Sequence, residues 1–189
     1  MKGLVMGIPM LNNTSWTSRL YETEDDLLQM QDLLMEARSQ TDDWRYAHVG
    51  DLIFLFFMVA CHLDPREAIR LWHAGEKLVG YAILGEDPSF DCQVLPGYAW
   101  RGIEEEAIEW AEIRLVELRK RNPELWGGHF VSGARQDDVN RIAFLLRHGF
   151  RPGGEFSEVN MLRWLDEPIP EVVLPAGCLV RAVHDAVGS

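Results

Sequence analysis

"VLPGYAWRGIEEEAI", residues 94–108, passes from strand-like apolar residues through a Pro–Gly turn into an acidic helix. A glycine at such a junction leaves backbone N–H groups bare at the positive end of a helix dipole, an arrangement that holds phosphate. This helix, however, opens on three consecutive carboxylates, Glu104, Glu105 and Glu106. Acids in an exposed first turn ordinarily stabilise a helix by ~0.3–1 kcal/mol each. The stretch reads as an anion site, an altered anion site, or a well-capped helix.

Upstream, Phe90–Leu95 forms a strand that ends at Pro96-Gly97. Downstream, Ile103, Ala107, Ile108, Ala111, Leu115 and Leu118 lie on one helical stripe, which Asn122-Pro123 stops. "LWGGHFVS" (125–132) reads as the next strand. Asp137 or Asp138 can cap a further helix with Val139, Ile142, Ala143 and Leu146 on its apolar face, and Gly149 stands at the C′ position. "GEFSEVNMLRWL" (154–165) predicts a closing strand.

Toward the N-terminus, a short strand near Arg19–Tyr21 precedes a helix with Leu27, Met30, Leu34 and Ala37 at helical spacing. Thr23 or Glu24 can cap it, with Glu24, Asp25 and Asp26 in its first turn. "LIFLFFMVAC" (52–61) is about half a bilayer span and predicts a buried helix instead. "EAIRLWHAGEKLVGYAILGED" reads as a hairpin: Ile69, Leu71 and His73 alternate, "HAGEK" turns, and Leu78–Leu84 returns. The order β-α-α-β-β-β-α-β-α-β predicts an α/β or α+β layer with helices on a mixed sheet.

The chain has 189 residues, 47% of them hydrophobic and 25% charged, enough for one domain with a real core. A net charge of −12 argues against nucleic acid or an anionic membrane surface as partner. Cys61, Cys92 and Cys178 are odd in number and far apart, and the six histidines are scattered, so neither a disulfide framework nor a metal site is suggested. Reduced thiols and the poor signal peptide in "MKGLVMGIPMLNNTSW" point to the cytoplasm.

In order and spacing, "CQVLP", "GYAWRGIEEEAI" and "NRIAFLLRHGF" resemble the GCN5-related N-acetyltransferase (GNAT) family. Val94 and Pro96 match the family's V-x-P. Gly102 and Ile103 match the centre of its Arg/Gln-x-x-Gly-x-Gly/Ala loop, and Arg101 stands where a second Arg is frequent. Asn140, Gly149 and Phe150 match the later signature, and "LVGYAIL" the hairpin. The resemblance covers roughly residues 17–165. It implies a GNAT-like mixed sheet flanked by helices, its fourth and fifth strands splayed.

The resemblance also implies an acyl-CoA-dependent N-acetyltransferase acting on a small-molecule or peptide amine, by direct attack on the thioester held between the splayed strands. Acetyl-CoA would be the co-substrate, with no metal. The loop's N–H groups would cradle its pyrophosphate, which makes Val94, Pro96, Arg101, Gly102, Ile103, Glu104 and Asn140 the candidate cofactor-binding residues. Backbone donors near Val94 would polarise the carbonyl. Asp91, with Asp87, is the candidate general base.

Two loop positions depart from the pattern. Ala99 replaces Arg/Gln, and Glu104 replaces Gly/Ala, bringing bulk and negative charge and satisfying the loop's donors itself. Leu145 stands where many members carry a Tyr as general acid. Those departures favour the alternative, a catalytically silent GNAT-like structural or ligand-sensing domain. Arg101 can pair with a phosphate or with Glu105, and Asn140 can bond CoA or cap its helix. Trp44, Tyr46, Phe54, Phe56 and Phe57 read as core or as an apolar acceptor pocket.

Residues 1–16 read as an N-terminal extension and 166–175, "DEPIPEVVLP", as a Pro-rich linker. Residues 176–189 read as a C-terminal strand or the start of a truncated second GNAT-like domain. A strand there would seek a sheet edge, its own or a partner's, giving a homodimer by strand exchange.

Overall fold

A computed structural model describes residues 15–41, 45–85, 88–153 and 173–179. The chain divides into two compact units, residues 1–151 and 152–189. In the second unit, 173–179 are exposed and turn at Ala176-Gly177, with the Cys178 N–H bonded to the Pro175 carbonyl. The expected strand at 154–165 lies outside the described residues, as does most of the one expected within 176–189, and its described part, 176–179, begins with a turn and not a strand.

The first unit is built on an antiparallel sheet of four strands in sequence order: β1 (Thr17–Leu20), β2 (Ile69–Ala74), β3 (Lys77–Gly85) and β4 (Ser89–Val94). Gly75, at φ +62°, makes the hairpin turn between β2 and β3. β3 is buried along eight of its nine residues and forms the floor of the core. Helix α1 (Glu24–Gln40) buries Met30, Leu33, Leu34 and Ala37, and helix α4 (Ile103–Arg121) buries the whole predicted stripe. Helix α3 (Pro65–Ala68) is a single turn capped by Asp64 before β2.

Three expectations change. Helix α2 (Val49–Ala60) forms where the apolar run predicts a helix, but it is not buried. Leu52 and Val59 are buried in the core and Val49, Leu55 and Phe56 pack against it part-buried, while Phe54 and Phe57 are 68% and 62% exposed. A helix apolar on nearly every side that packs through one face must present the rest outward. The expected fifth strand is replaced by a helical turn, α5 (Pro123–Trp126), and one parallel bridge, Ser89 to Val131. Gly127-Gly128 separates the two, and neither glycine favours extended pairing. In α6 (Val139–Arg147) the buried residues are Phe144 and Leu145, whereas Val139 and Leu146 are exposed. Packing against Trp100 rotates the helix from its predicted face, with the Trp100 and Phe144 rings 5.7 Å apart.

The cap expectations hold. Asp138 Oδ1 accepts the Arg141 N–H, and Gly149, at φ +81°, closes α6 with bonds from Gly149 N to Leu146 O and Phe150 N to Leu145 O. That pair of bonds is a Schellman ending. Among the described residues, no helix is long and apolar enough to cross a membrane.

Candidate active site

The site begins where β4 stops pairing. Phe90 N and Val131 O, and Val131 N and Pro88 O, bond at 2.8 and 2.9 Å, and the Ser132 hydroxyl donates to the Phe90 carbonyl. Beyond that, main-chain pairing ends among the described residues. The gap is crossed by a side chain instead. Arg141 donates to the carbonyls of Cys92 (3.1 Å) and Gly133 (2.6 Å), to Asp91 Oδ1 (3.3 Å) and to Ser132 Oγ (3.2 Å). A cation in the first turn of a helix opposes the dipole, and four acceptors around one guanidinium compensate for it.

β4 leads through Leu95 and Pro96 into the loop. Tyr98 and Ala99 both donate to the Leu95 carbonyl, winding the chain into a tight turn. Trp100 follows at φ +60°, the one non-glycine residue in the left-handed region among those described. Such a conformation costs on the order of 1 kcal/mol and persists where neighbours enforce it. Gly102, at φ +118°, is the N-cap of α4, a backbone that L side chains rarely adopt.

The three glutamates then do three different things. Glu104 is 6% exposed, and its Oε1 accepts the Trp100 N–H at 2.9 Å. Its Oε2 is buried with no hydrogen-bond partner. Burial pushes this carboxyl above its ordinary range; the N–H groups of Trp100 and of Glu104 itself oppose the shift, the Glu105 charge adds to it, and Arg141 opposes it. Glu105 Oε1 accepts from Arg147 on α6 at 3.1 Å, while its Oε2 is also buried without a partner. Glu106 is held at both oxygens, by the indole N–H groups of Trp16 and Trp72, each at 2.9 Å. The first turn is not a uniform exposed acidic cap.

The structure brings the predicted residues Val94, Pro96, Gly102, Ile103 and Glu104 to one end of the sheet. Val94 and Ile103 are buried, and Arg101 is exposed. Glu105 bonds Arg147 rather than Arg101, and no ion pair of Arg101 is found among the described residues. Asn140 is exposed on α6, and the cap is Asp138, not Asn140. Asp91 is engaged by Arg141 and by both contacts of the Gln93 amide, at 3.0 and 3.2 Å. Leu145 is buried, and Trp44 and Asp87 lie outside the described residues. Cys92 is buried beneath the loop; burial drives its thiol well up, and the Glu104 charge adds to the shift.

Sequence reasoning missed two participants, Arg141 and Trp16, and the polar contact of a third, Tyr46. Arg141 was signalled only by its charge in a first turn. Trp16 was not separable from the N-terminal extension, yet its ring lies 3.5 Å from the position of a Cβ on Gly102. Tyr46 donates its hydroxyl to the Val94 carbonyl at 2.9 Å, tying the α1–α2 connection to the end of β4. Phe56 packs on Tyr21, while Phe54 and Phe57 stay exposed, so the aromatic group is neither one core nor one pocket.

The fold is that of the GCN5-related N-acetyltransferases. A GCN5-related N-acetyltransferase from Sphaerobacter thermophilus superposes with a TM-score of 0.54 at 16% identity, over 76% of this chain and 45% of that one. yncA from Salmonella typhimurium, solved with its cofactor acetyl-CoA, gives 0.53 at 17% identity, over 79% of this chain and 88% of that one. This chain thus spans less than half the length of the Sphaerobacter protein. No family model and no curated protein matches the sequence. The GNAT fold places the loop and the β4 edge at one end, and among the described residues no group of three or more His, Cys, Asp or Glu side chains could hold a metal ion.

Proposed function

We propose that the chain is an acyl-CoA-dependent N-acyltransferase that moves an acetyl group from acetyl-CoA to an amine, with an anion loop closed by its own carboxylate. The observation that carries the reading is the edge of β4, where pairing with the segment at Val131 stops after one parallel bridge. On the GNAT fold this divergence is where a thioester would sit. The fit to the cofactor is divided. Gly102, the α4 N-terminus and the exposed Arg101 suit a pyrophosphate, but the Trp100 N–H is occupied by Glu104.

When bound, acetyl-CoA supplies the activated acyl group. The chain's own residues would bind it at the loop, shield the thioester beside β4 and orient an amine from the side of Tyr46 and α2. The exposed Phe54 and Phe57 favour an acceptor with an apolar part, a small molecule or peptide. Arg141 holds Asp91 Oδ1, which leaves Oδ2, bonded to the Gln93 amide, to take the amine's proton. The three free cysteines and the net charge of −12 support action in the cytoplasm without nucleic acid.

A second reading, a silent ligand-sensing GNAT-fold domain, is favoured by Leu145 at the general-acid position and by the commitment of Asp91 to Arg141. Calorimetric titration with acetyl-CoA, followed by mass spectrometry of amine mixtures incubated with it, separates the two. Weak but measurable binding with acetylated product supports the acyltransferase. Binding without product from any amine supports the silent domain, and no binding by the wild type or by a loop-restored variant overturns both cofactor readings.

A further inference from the structure

We propose that Glu104 is a proton-operated latch on the loop: its carboxylate keeps the Trp100 N–H occupied, and the pyrophosphate of an acyl carrier takes that N–H only as Glu104 takes up a proton. The ligand half of this inference rests on the acyl-CoA reading; the latch itself does not.

The geometry is specific. Glu104 is the second residue of α4 and almost wholly buried, with one oxygen on the Trp100 N–H and the other without a partner. An orphaned, buried carboxylate oxygen is a costly group unless something is to meet it. The strained φ of Trp100 keeps its N–H aimed at the carboxylate. The ionisable groups facing Glu104 are Glu105 on α4, Cys92 on β4 and Arg141 on α6. Arg141 is committed to Asp91 and Arg147 to Glu105, so neither cation pairs with Glu104.

A phosphate oxygen arriving at the Trp100 N–H would displace Glu104 Oε1 and leave a buried anion with one donor fewer beside a second anion. Taking one proton from solvent converts the carboxylate to a carboxylic acid. The repulsion is then removed, and the new O–H becomes a donor for the phosphate. One proton is taken up for each carrier bound, and no other bond changes.

Two measurements test this. In the free protein, the side-chain carboxyl carbon of Glu104 and the Trp100 amide are followed by NMR as pH is varied. Both should shift with one midpoint above the ordinary glutamate value of 4.5, and Glu104→Gln should abolish the Trp100 transition. Dephospho-CoA, which keeps the pyrophosphate and lacks the titrating 3′-phosphate, is then titrated calorimetrically between about pH 5 and about pH 8. Wild-type affinity should fall by about tenfold per pH unit above the Glu104 midpoint, while Glu104→Gln stays nearly flat and binds more tightly at the alkaline end.

A Trp100 amide that ignores the Glu104 titration overturns the latch, as does an identical pH slope in the two proteins. If neither protein binds dephospho-CoA at any pH, the acyl-CoA reading falls. The latch is then decided by the Trp100 transition alone.

Discussion

Asp26 and Glu104 are both buried carboxylates in the first turn of a helix, one opening α1 and the other α4, and their environments are opposite. Asp26 accepts a two-pronged contact from Arg19 and the N–H groups of Glu22 and Thr23. The Arg19 contact first, with the two N–H groups, overrides burial and holds its carboxyl down at about 2. Glu104 has one N–H from the loop, no paired cation and an idle oxygen, and burial drives its carboxyl the other way. A helix dipole alone does not make a buried acid comfortable. The paired acid fastens β1 to α1, and the unpaired one sits beneath the loop between β4 and α4.

The largest expected effect follows from breaking the fastened site. Asp26→Ala strands the Arg19 guanidinium and two N–H groups, and the depression of the Asp26 carboxyl from 3.8 to about 2 corresponds to on the order of 2 kcal/mol of stability. Because the folded value is the lower one, this contribution is full above pH 3.8 and is lost as pH falls toward about 2. Urea unfolding at neutral pH should show the loss, and the two proteins should converge in acid. Equal stability at neutral pH would mean that the two helix ends do not differ as their contacts require.

Next comes the loop. Glu104→Gly together with Ala99→Arg frees the Trp100 N–H and adds a cation, so acetyl-CoA affinity should rise at least about tenfold, or ~1.4 kcal/mol. Micromolar binding by the wild type, unchanged in the double variant, would show that the glutamate does not obstruct the site. Glu104→Gln has a smaller effect, on stability. It retains an acceptor for Trp100 and removes the buried charge, so unfolding free energy at neutral pH should hold or rise by up to about 1 kcal/mol. With its folded value raised, protonated Glu104 gives its full stabilisation below pH 4.5, lost as pH rises through the folded value. The variant should therefore gain on the wild type as pH rises, opposite in sense to Asp26.

Much of the fold was legible in the sequence, and unevenly so. The α4 stripe from Ile103 to Leu118, the hairpin turning at Gly75 and the Gly149 ending follow from local periodicity and backbone chemistry, and the structure reproduces them. Glu104 was singled out too, because the family loop that this stretch resembles carries a small residue at that position. Long-range partners were not visible. Nothing near Glu106 announces Trp16 and Trp72, respectively 90 and 34 residues away, and nothing near Asp91 announces Arg141. The exposure of α2 was hidden for a different reason. Hydrophobicity measures what a helix would bury, not how much partner surface the domain provides.

The smallest effect belongs to the outer neighbour of the latch. Arg147 reaches Glu105 at 3.1 Å, with the two side chains 62% and 39% exposed, so solvent screens the pair and its contribution is a few tenths of a kcal/mol. Arg147→Ala should barely move the unfolding midpoint. It should nevertheless push the Glu104 transition upward, since the unneutralised Glu105 charge then acts on its neighbour and favours the protonated form. NMR titration of the Glu104 carboxyl in Arg147→Ala reads this directly, and added salt should shrink the shift. A Glu104 midpoint that stays fixed would mean burial alone sets the latch, with Glu105 a bystander. An upward shift would show that the Glu105 charge acts on Glu104, and that α6 tunes the loop through a contact too weak to matter for stability.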